Sequence, residues 1–366
     1  MANFQLSTRK AVRWLHLWVG LILGLVLAVM GVTGGIVALR PQAAMWLSPS
    51  VPAGACVMNI DWTLASQAAA ATTGTAPNRI YFPEDGDTRV RFRMDSDTDK
   101  VFKHVIFDTC SGKVIGTANL GWMDWMVDFH HNLRAEKEGR IWAGRIALVM
   151  LLSGFTGFIL WALSGAKLSK LFAYRAGQSG IKTSLDLHRV FGLVGGLFLV
   201  VGAFTALWLC FPQTTRAILA TVAPMSTETR PPRGGRAEGP KATLRDWIQA
   251  AQTAIPDGRI REIRLPEGNG NVQIRMYRAG DFRSLGNNVV SVAQTGKVVG
   301  VDLYEKKPFG NRFVQAMAGL HYGEWGGLVY RSVYAAAGFA SGLLLVTGVL
   351  IWWLPKRKQA VLRKAA

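Results

Sequence analysis

Residues 14–39 read WLHLWVGLILGLVLAVMGVTGGIVAL, twenty-six positions with almost no polar side chain. About 20 apolar residues cross the hydrocarbon core of a bilayer as a helix, so this run is predicted to span. Three more such runs follow, at 142–163, 188–211 and 333–354. The first is too long for the apolar part of a cleaved signal, about 7–15 residues, and no small-residue cleavage site follows directly. Half of the chain is apolar and only 18% is charged. The expected class is therefore an α-helical membrane protein with a four-helix transmembrane bundle.

Charge in the short segments sets the expected orientation. Segment 1–13 carries Arg9, Lys10 and Arg13; segment 164–187 carries Lys167, Lys170, Arg175 and Lys182; segment 355–366 carries Lys356, Arg357, Lys358, Arg363 and Lys364. Their single acid is Asp186. Lysine and arginine mark cytoplasmic segments, so both termini and the middle loop are predicted inside, with 40–141 and 212–332 outside. The net charge of +19 is then partly a topology signal, and no nucleic-acid partner is read from it. RPPRGGR at 230–236 reads as a linker rich in proline and glycine.

The chain repeats itself. His16, Gly20, Gly24 and Thr33 recur 172 positions later as His188, Gly192, Gly196 and Thr205. His130, Thr156, Gly157 and Trp161 recur 191 positions later as His321, Thr347, Gly348 and Trp352. The outer segments repeat as well. Residues 61–75 and 243–255 look helical, and each is followed by alternating apolar residues such as Val90, Phe92 and Met94, the period of a strand. Asp-Gly, Ser-Gly and Thr-Gly pairs mark the turns. Each outer segment is predicted to be a small α+β module, one helix and three or four antiparallel strands, followed by a short interfacial helix that precedes the next span.

Five of the six histidines fall at predicted membrane boundaries. His16 and His188 open the first and third spans; His130, His131 and His321 precede the second and fourth. His104 lies in a strand context and reads as ordinary surface. A lone boundary histidine commonly bonds a neighbour, but matched pairs at both faces point to binding, because ionisable groups in membrane segments are costly. Zinc usually takes three or four protein ligands and iron–sulfur clusters four cysteines; the chain has only Cys56, Cys110 and Cys210 and no C-x-x-C-H. Two non-covalent haems b fit: one between His16 and His188, one between His130 and His321, with His131 as the alternative ligand or as a contact to a propionate or substrate. Gly20, Gly24, Gly192 and Gly196 leave room for a macrocycle or for close helix packing. Arg13 and Arg189 on one side, Arg140, Arg145 and Arg331 on the other, are candidates for propionate binding; membrane-flank charge is the alternative for Arg13 and Arg189. Cys56 and Cys110 either form a disulfide or stay free.

Iron held by two imidazoles usually carries electrons. His16 to Thr33 spans roughly 25 Å along a helix, so one site at each face makes a path across most of the bilayer. No Asp, Glu or Lys lies mid-span, unlike an ion-coupled transporter. Trp122, Trp125, Tyr322 and Trp325 flank the outer histidines, as an interfacial belt or as a substrate wall.

WLHLWVGLILGL, FHHNL, LHRVFGLVGGL, the endings TGFILW and TGVLIWW, and FDTCSGKVIG together resemble the PepSY-associated transmembrane proteins of bacterial inner membranes, over nearly the whole chain. The resemblance implies two PepSY-like periplasmic modules and, from relatives that are siderophore-iron reductases, a ferric siderophore as substrate, with a cytoplasmic or quinol electron donor. One departure is visible: the second module has VAQTGK where the first has FDTCSGK, so it lacks the acid at that turn. Two other readings stay open, a regulatory or binding protein without redox activity and a b-type quinol cytochrome with another acceptor.

Overall fold

The computed structural model describes residues 2–51, 56, 59–84, 86–95, 102–165, 179–226, 240–266, 268 and 270–365. Lys167, Lys170, Arg175 and the 230–236 linker lie outside the described residues. Among the described residues three helices are long and apolar enough to cross a membrane: α6 (Glu136–Ala162), α7 (Gly180–Cys210) and, over Gly327–Gln359, α11 (Gly327–Ala365). A bent pair, α1 (Ala2–Ile22) and α2 (Gly24–Ala38), passes the same test together.

The first predicted span is therefore not one straight helix. It bends by 69° at Leu23, between Gly20 and Gly24, where missing side chains leave the turn least supported. Below the bend α1 packs on α6; above it α2 packs on α11; α7 packs on both α6 and α11, which closes the ring. The tightest seam joins α2 to α11. A Cβ on Gly31 would lie 2.2 Å from Ser341 Oγ, and one on Gly338 would lie 2.5 Å from the Gly31 carbonyl. Only glycine lets the two backbones approach this closely.

Outside the spans, the two repeats build one sheet rather than two separate modules. Helix α3 (Arg40–Trp46) leads from α2 to α4 (Trp62–Thr73), followed by β1 (Pro77–Tyr81), β2 (Arg89–Met94), β3 (His104–Asp108), β4 (Lys113–Ala118) and α5 (Gly121–Asn132). The second repeat follows α7 with α8 (Pro212–Ala220), α9 (Leu244–Ala254), β5 (Arg259–Arg264), β6 (Val272–Tyr277), β7 (Asn288–Val292), β8 (Val298–Asp302) and α10 (Phe309–His321). Strand order is β4-β3-β2-β1-β5-β6-β7-β8, with every pair antiparallel. The halves join at β1 and β5, where Ile80 faces Ile263. Each strand alone would leave an unpaired edge; paired, they cover each other.

Helices α4 and α9 cover one face of the sheet. Asp61 caps α4 through the backbone N–H groups of Thr63 and Leu64, and Thr243 with Asp246 forms a capping box on α9, satisfying free N–H donors of the first turn. Their Ala65, Ala69, Trp247 and Ala251 pack with Ile80, Phe92, Ile263 and Ile274 into a single core. The strand alternation dictates what remains: with Val90, Phe92 and Met94 turned inward, Arg89, Arg91 and Arg93 fall on the opposite face.

Candidate functional site

Both predicted histidine pairs form. His16 and His188 have ring centroids 6.3 Å apart, and so do His130 and His321. A metal–imidazole bond of about 2.0–2.1 Å, plus about 1.1 Å from each coordinating nitrogen to its ring centre, puts two imidazoles sharing one first-row metal at about 6.3 Å. The spacing thus fits a metal held from both sides. Among the described residues no group of three or more His, Cys, Asp or Glu could hold a metal ion.

The second ring nitrogen of each histidine is held by a threonine. Nδ1 lies 2.9 Å from Thr156 Oγ1 in His16, 2.9 Å from Thr347 in His188, 3.0 Å from Thr33 in His130 and 3.0 Å from Thr205 in His321. Each threonine hydroxyl already donates to a carbonyl of the preceding turn: Thr156 to Ser153, Thr347 to Leu343, Thr33 to Val29 and Thr205 to Val201. A hydroxyl has one proton, so here it accepts, and the imidazole Nδ1–H donates. The proton sits on Nδ1 and Nε2 keeps a bare lone pair, the tautomer a metal requires. For His321 the Gly202 carbonyl, 3.1 Å from Nδ1, enforces the same assignment. Burial also drives the outer imidazoles neutral: His130 falls to about 3, with His131 and His321 adjacent, and His131 and His321 fall to about 4.

Glycines beside three of these threonines make the space. A Cβ on Gly34 would lie 2.9 Å from His130 Cε1, on Gly157 3.3 Å from His16 Cε1, and on Gly348 3.5 Å from His188 Cε1. These Thr-Gly pairs were visible as TGG, TGF and TGV; the fourth site breaks the pattern with Thr205-Ala206. The repeat alignment marked the threonines, yet sequence reading gave them no role. Gly20 has nothing within 4 Å of a Cβ among the described residues, and Gly192 meets only Leu344 at 3.7 Å. Neither is part of a tight seam: Gly20 faces open space, and Gly192 makes ordinary contact with α11.

Several expected residues fall elsewhere. Arg145 does not reach the outer pair: it is exposed and its guanidinium stacks 4.5 Å over Trp142. On α6 the cavity face carries Arg140, Ala143, Ala147 and Met150, a helical stripe that Arg145 misses. Arg13 and Arg189 are exposed. Arg331 is 2% exposed and faces the cavity above His321. His131 lies beside Tyr322 at 6.0 Å and, among the described residues, has no threonine partner of the kind that holds His130.

His104 is not surface. It is 1% exposed, its Nε2 lies 2.7 Å from Asp124 Oδ2, and Arg40 donates to Asp124 Oδ1 at 2.8 Å. This network ties β3 and the start of α3 to α5, the helix that presents His130. A strand position gave no hint of it, because Asp124 is twenty residues away. Cys56 and Cys110 form a disulfide. Asp108, the acid absent from the second repeat, accepts from Thr88 Oγ1 and from the backbone N–H groups of Cys110 and Ser111; its role is to shape the turn that carries Cys110.

Between the sheet and the outer pair lies a cavity of about 950 Å³, at the upper end for small-molecule and cofactor sites, about 300–1,000 Å³. Gly34, Ala143, Ala147 and Leu199 line its lower, apolar part; Arg79, Arg91, Arg264 and Arg331 line the part under the sheet. Burial lowers the Arg91 guanidinium to about 10, still charged at neutral pH. These sheet arginines were missed from sequence, although RVRFRM alternates them with the core residues.

The family model described as PepSY-associated TM region matches residues 13–354. The chain belongs to the PepSY-associated transmembrane family. No curated protein matches it. All four paired histidines and their threonines in this PepSY-associated protein lie inside the matched region.

Proposed function

We propose that this chain is a di-haem b electron-transfer protein of the bacterial inner membrane that carries electrons from the cytoplasmic side to a periplasmic ferric siderophore, reducing Fe(III) to Fe(II) so that the iron is released. The observation that carries the reading is the matched geometry of two histidine pairs, each with Nδ1 tied down by a threonine and each at the spacing of two imidazoles on one iron.

His16 and His188 would hold one haem, and His130 and His321 the other. Bound there, haem would supply one-electron chemistry. The residues of the chain do the rest. The threonines fix each imidazole in orientation and tautomer. Helix α7 sets the separation: His188 sits about two turns into it and Thr205, the partner of His321, lies seventeen residues on, roughly 25 Å along an unbroken helix. The bend at Leu23 shortens the corresponding path along α1 and α2. Lysine and arginine in the segments at 1–13, 164–187 and 355–366 support termini inside and the sheet in the periplasm.

The test is an absorption spectrum of the purified full chain with pyridine-haem quantification. About two haems per chain are expected, with His16→Ala and His321→Ala each retaining about one. Reoxidation of the dithionite-reduced protein by ferric siderophores separates this reading from a quinol cytochrome with another acceptor. A colourless protein that does not take up added haemin overturns it.

A further inference from the structure

The underside of the sheet holds more positive charge than a haem can neutralise. Nine arginines line the cavity against four carboxylates. The carboxylates are already engaged: Glu262 lies 3.3 Å from Arg79, 3.0 Å from Arg264 and 3.5 Å from Arg275, Glu324 and Asp87 pair with Arg283 and Arg89, and the exposed Glu84 lies 3.6 Å from Arg331. Two propionates would still leave arginine in excess. Arg331 is the sharpest sign. It is 2% exposed; its Nη2 donates to Ser284 Oγ at 2.8 Å and lies 3.6 Å from the Glu84 carboxylate, yet its buried Nε has no hydrogen-bond partner among the described residues. A guanidinium fork reads planar oxygen pairs such as carboxylates, and a donor buried without a partner marks where such a group belongs.

We infer that this vestibule, bounded by Arg91, Arg264 and Arg331 above the outer histidine pair, is the docking site for an anionic, oxygen-rich Fe(III) chelate, one carrying carboxylate or catecholate groups. The inference rests on the reductase reading and narrows its substrate to negatively charged chelates. The alternation of β2 carries the selectivity: its face that is not core turns Arg89 and Arg91 into the cavity. Charge of one sign in a low-dielectric cleft also concentrates anions at its mouth.

Haem propionates and a docked chelate share the same carboxylate chemistry, and the test separates them. Haem-loaded full chain in detergent is titrated calorimetrically with redox-inert Ga(III)–citrate and, as control, with a charge-neutral Ga(III) trihydroxamate. Haem content is measured on the same samples. Wild type should bind the citrate chelate in preference. Arg91→Gln and Arg264→Gln should each weaken that binding about tenfold with unchanged haem content, and Arg264→Lys should recover part of it. Equal binding of the neutral and anionic chelates overturns the inference. Haem loss in step with the weakened binding also overturns it, because the arginines would then serve the propionates. Protein that never binds haem but shows arginine-dependent citrate binding sinks the reductase reading and upholds the anion site. Haem-loaded protein without citrate binding does the reverse.

Discussion

Thr33 on α2 accepts the Nδ1 proton of His130 on α5 at 3.0 Å, ninety-seven residues along the chain. The same hydroxyl donates to the Val29 carbonyl at 2.8 Å, so its direction is fixed. That bond should govern how well the outer site retains added haem. Thr33→Val removes the acceptor without changing volume much and should weaken haem retention about 10–100-fold. Thr33→Ser should restore it. Haemin titration of apoprotein checks both, and equal affinity in all three proteins would remove the threonine from the account.

The two pairs differ in ring orientation: the planes of His16 and His188 meet at 82°, those of His130 and His321 at 30°. Near-perpendicular ligand planes leave two iron d orbitals close in energy, whereas near-parallel planes split them. The oxidised protein should therefore show two distinct low-spin signals in electron paramagnetic resonance. His16→Ala should remove the more anisotropic one and His321→Ala the more rhombic one. A single signal shared by both sites contradicts the geometry.

Glycine positions separate packing from cofactor room. A side chain at Gly34 meets His130 directly, so Gly34→Val should empty the outer site and spare the inner one. Gly20 has open space around it. Gly20→Leu should leave the bundle folded and lower haem content at the inner site alone; full haem content in Gly20→Leu would assign that space to lipid.

The buried His104–Asp124 pair makes stability depend on pH. Burial, offset in part by Asp124, holds His104 at about 4, below its value of about 6.5 in an unfolded chain. The unfolded chain therefore takes up the proton first, and stability is lost as pH falls from about 6.5 towards about 4, by about 2–3 kcal/mol. Asp124, held below the usual carboxylate range chiefly by His104 and Arg40 against the opposing pull of burial, adds loss at still lower pH. Thermal unfolding followed at pH 7.5 and pH 5 should show a larger drop in wild type than in His104→Gln.

The disulfide closes a loop with a sequence separation of 54. Chain-entropy reasoning assigns about 4 kcal/mol to a loop of that length. Cys56→Ser should lower the unfolding midpoint of the sheet region while leaving haem content unchanged. An unchanged midpoint under reducing and oxidising conditions would show that the loop is constrained by packing alone.

Much of this protein was legible without coordinates. Hydrophobic length gave the spans, because a bilayer demands it of any crossing helix. The offsets of 172 and 191 gave the duplication, and the duplication paired His16 with His188 and His130 with His321. The period of two in RVRFRM gave a strand with one apolar face. What the chain could not display was anything set by residues distant in sequence. The bend at Leu23 comes from how α1 and α2 pack on different partners. The joining of β1 to β5 comes from two edges that each lack a hydrogen-bonding neighbour until the repeats meet. Arg145 and Arg331 looked alike as lone cations near spans, and only helix phase turned one outward and the other into the cavity. His104 is buried because Asp124 and Arg40 arrive from other elements to satisfy it. Local pattern reports what a segment can bury; which polar groups meet once it is buried is decided by tertiary packing, since a hydrogen bond depends on position in space and not on separation along the chain.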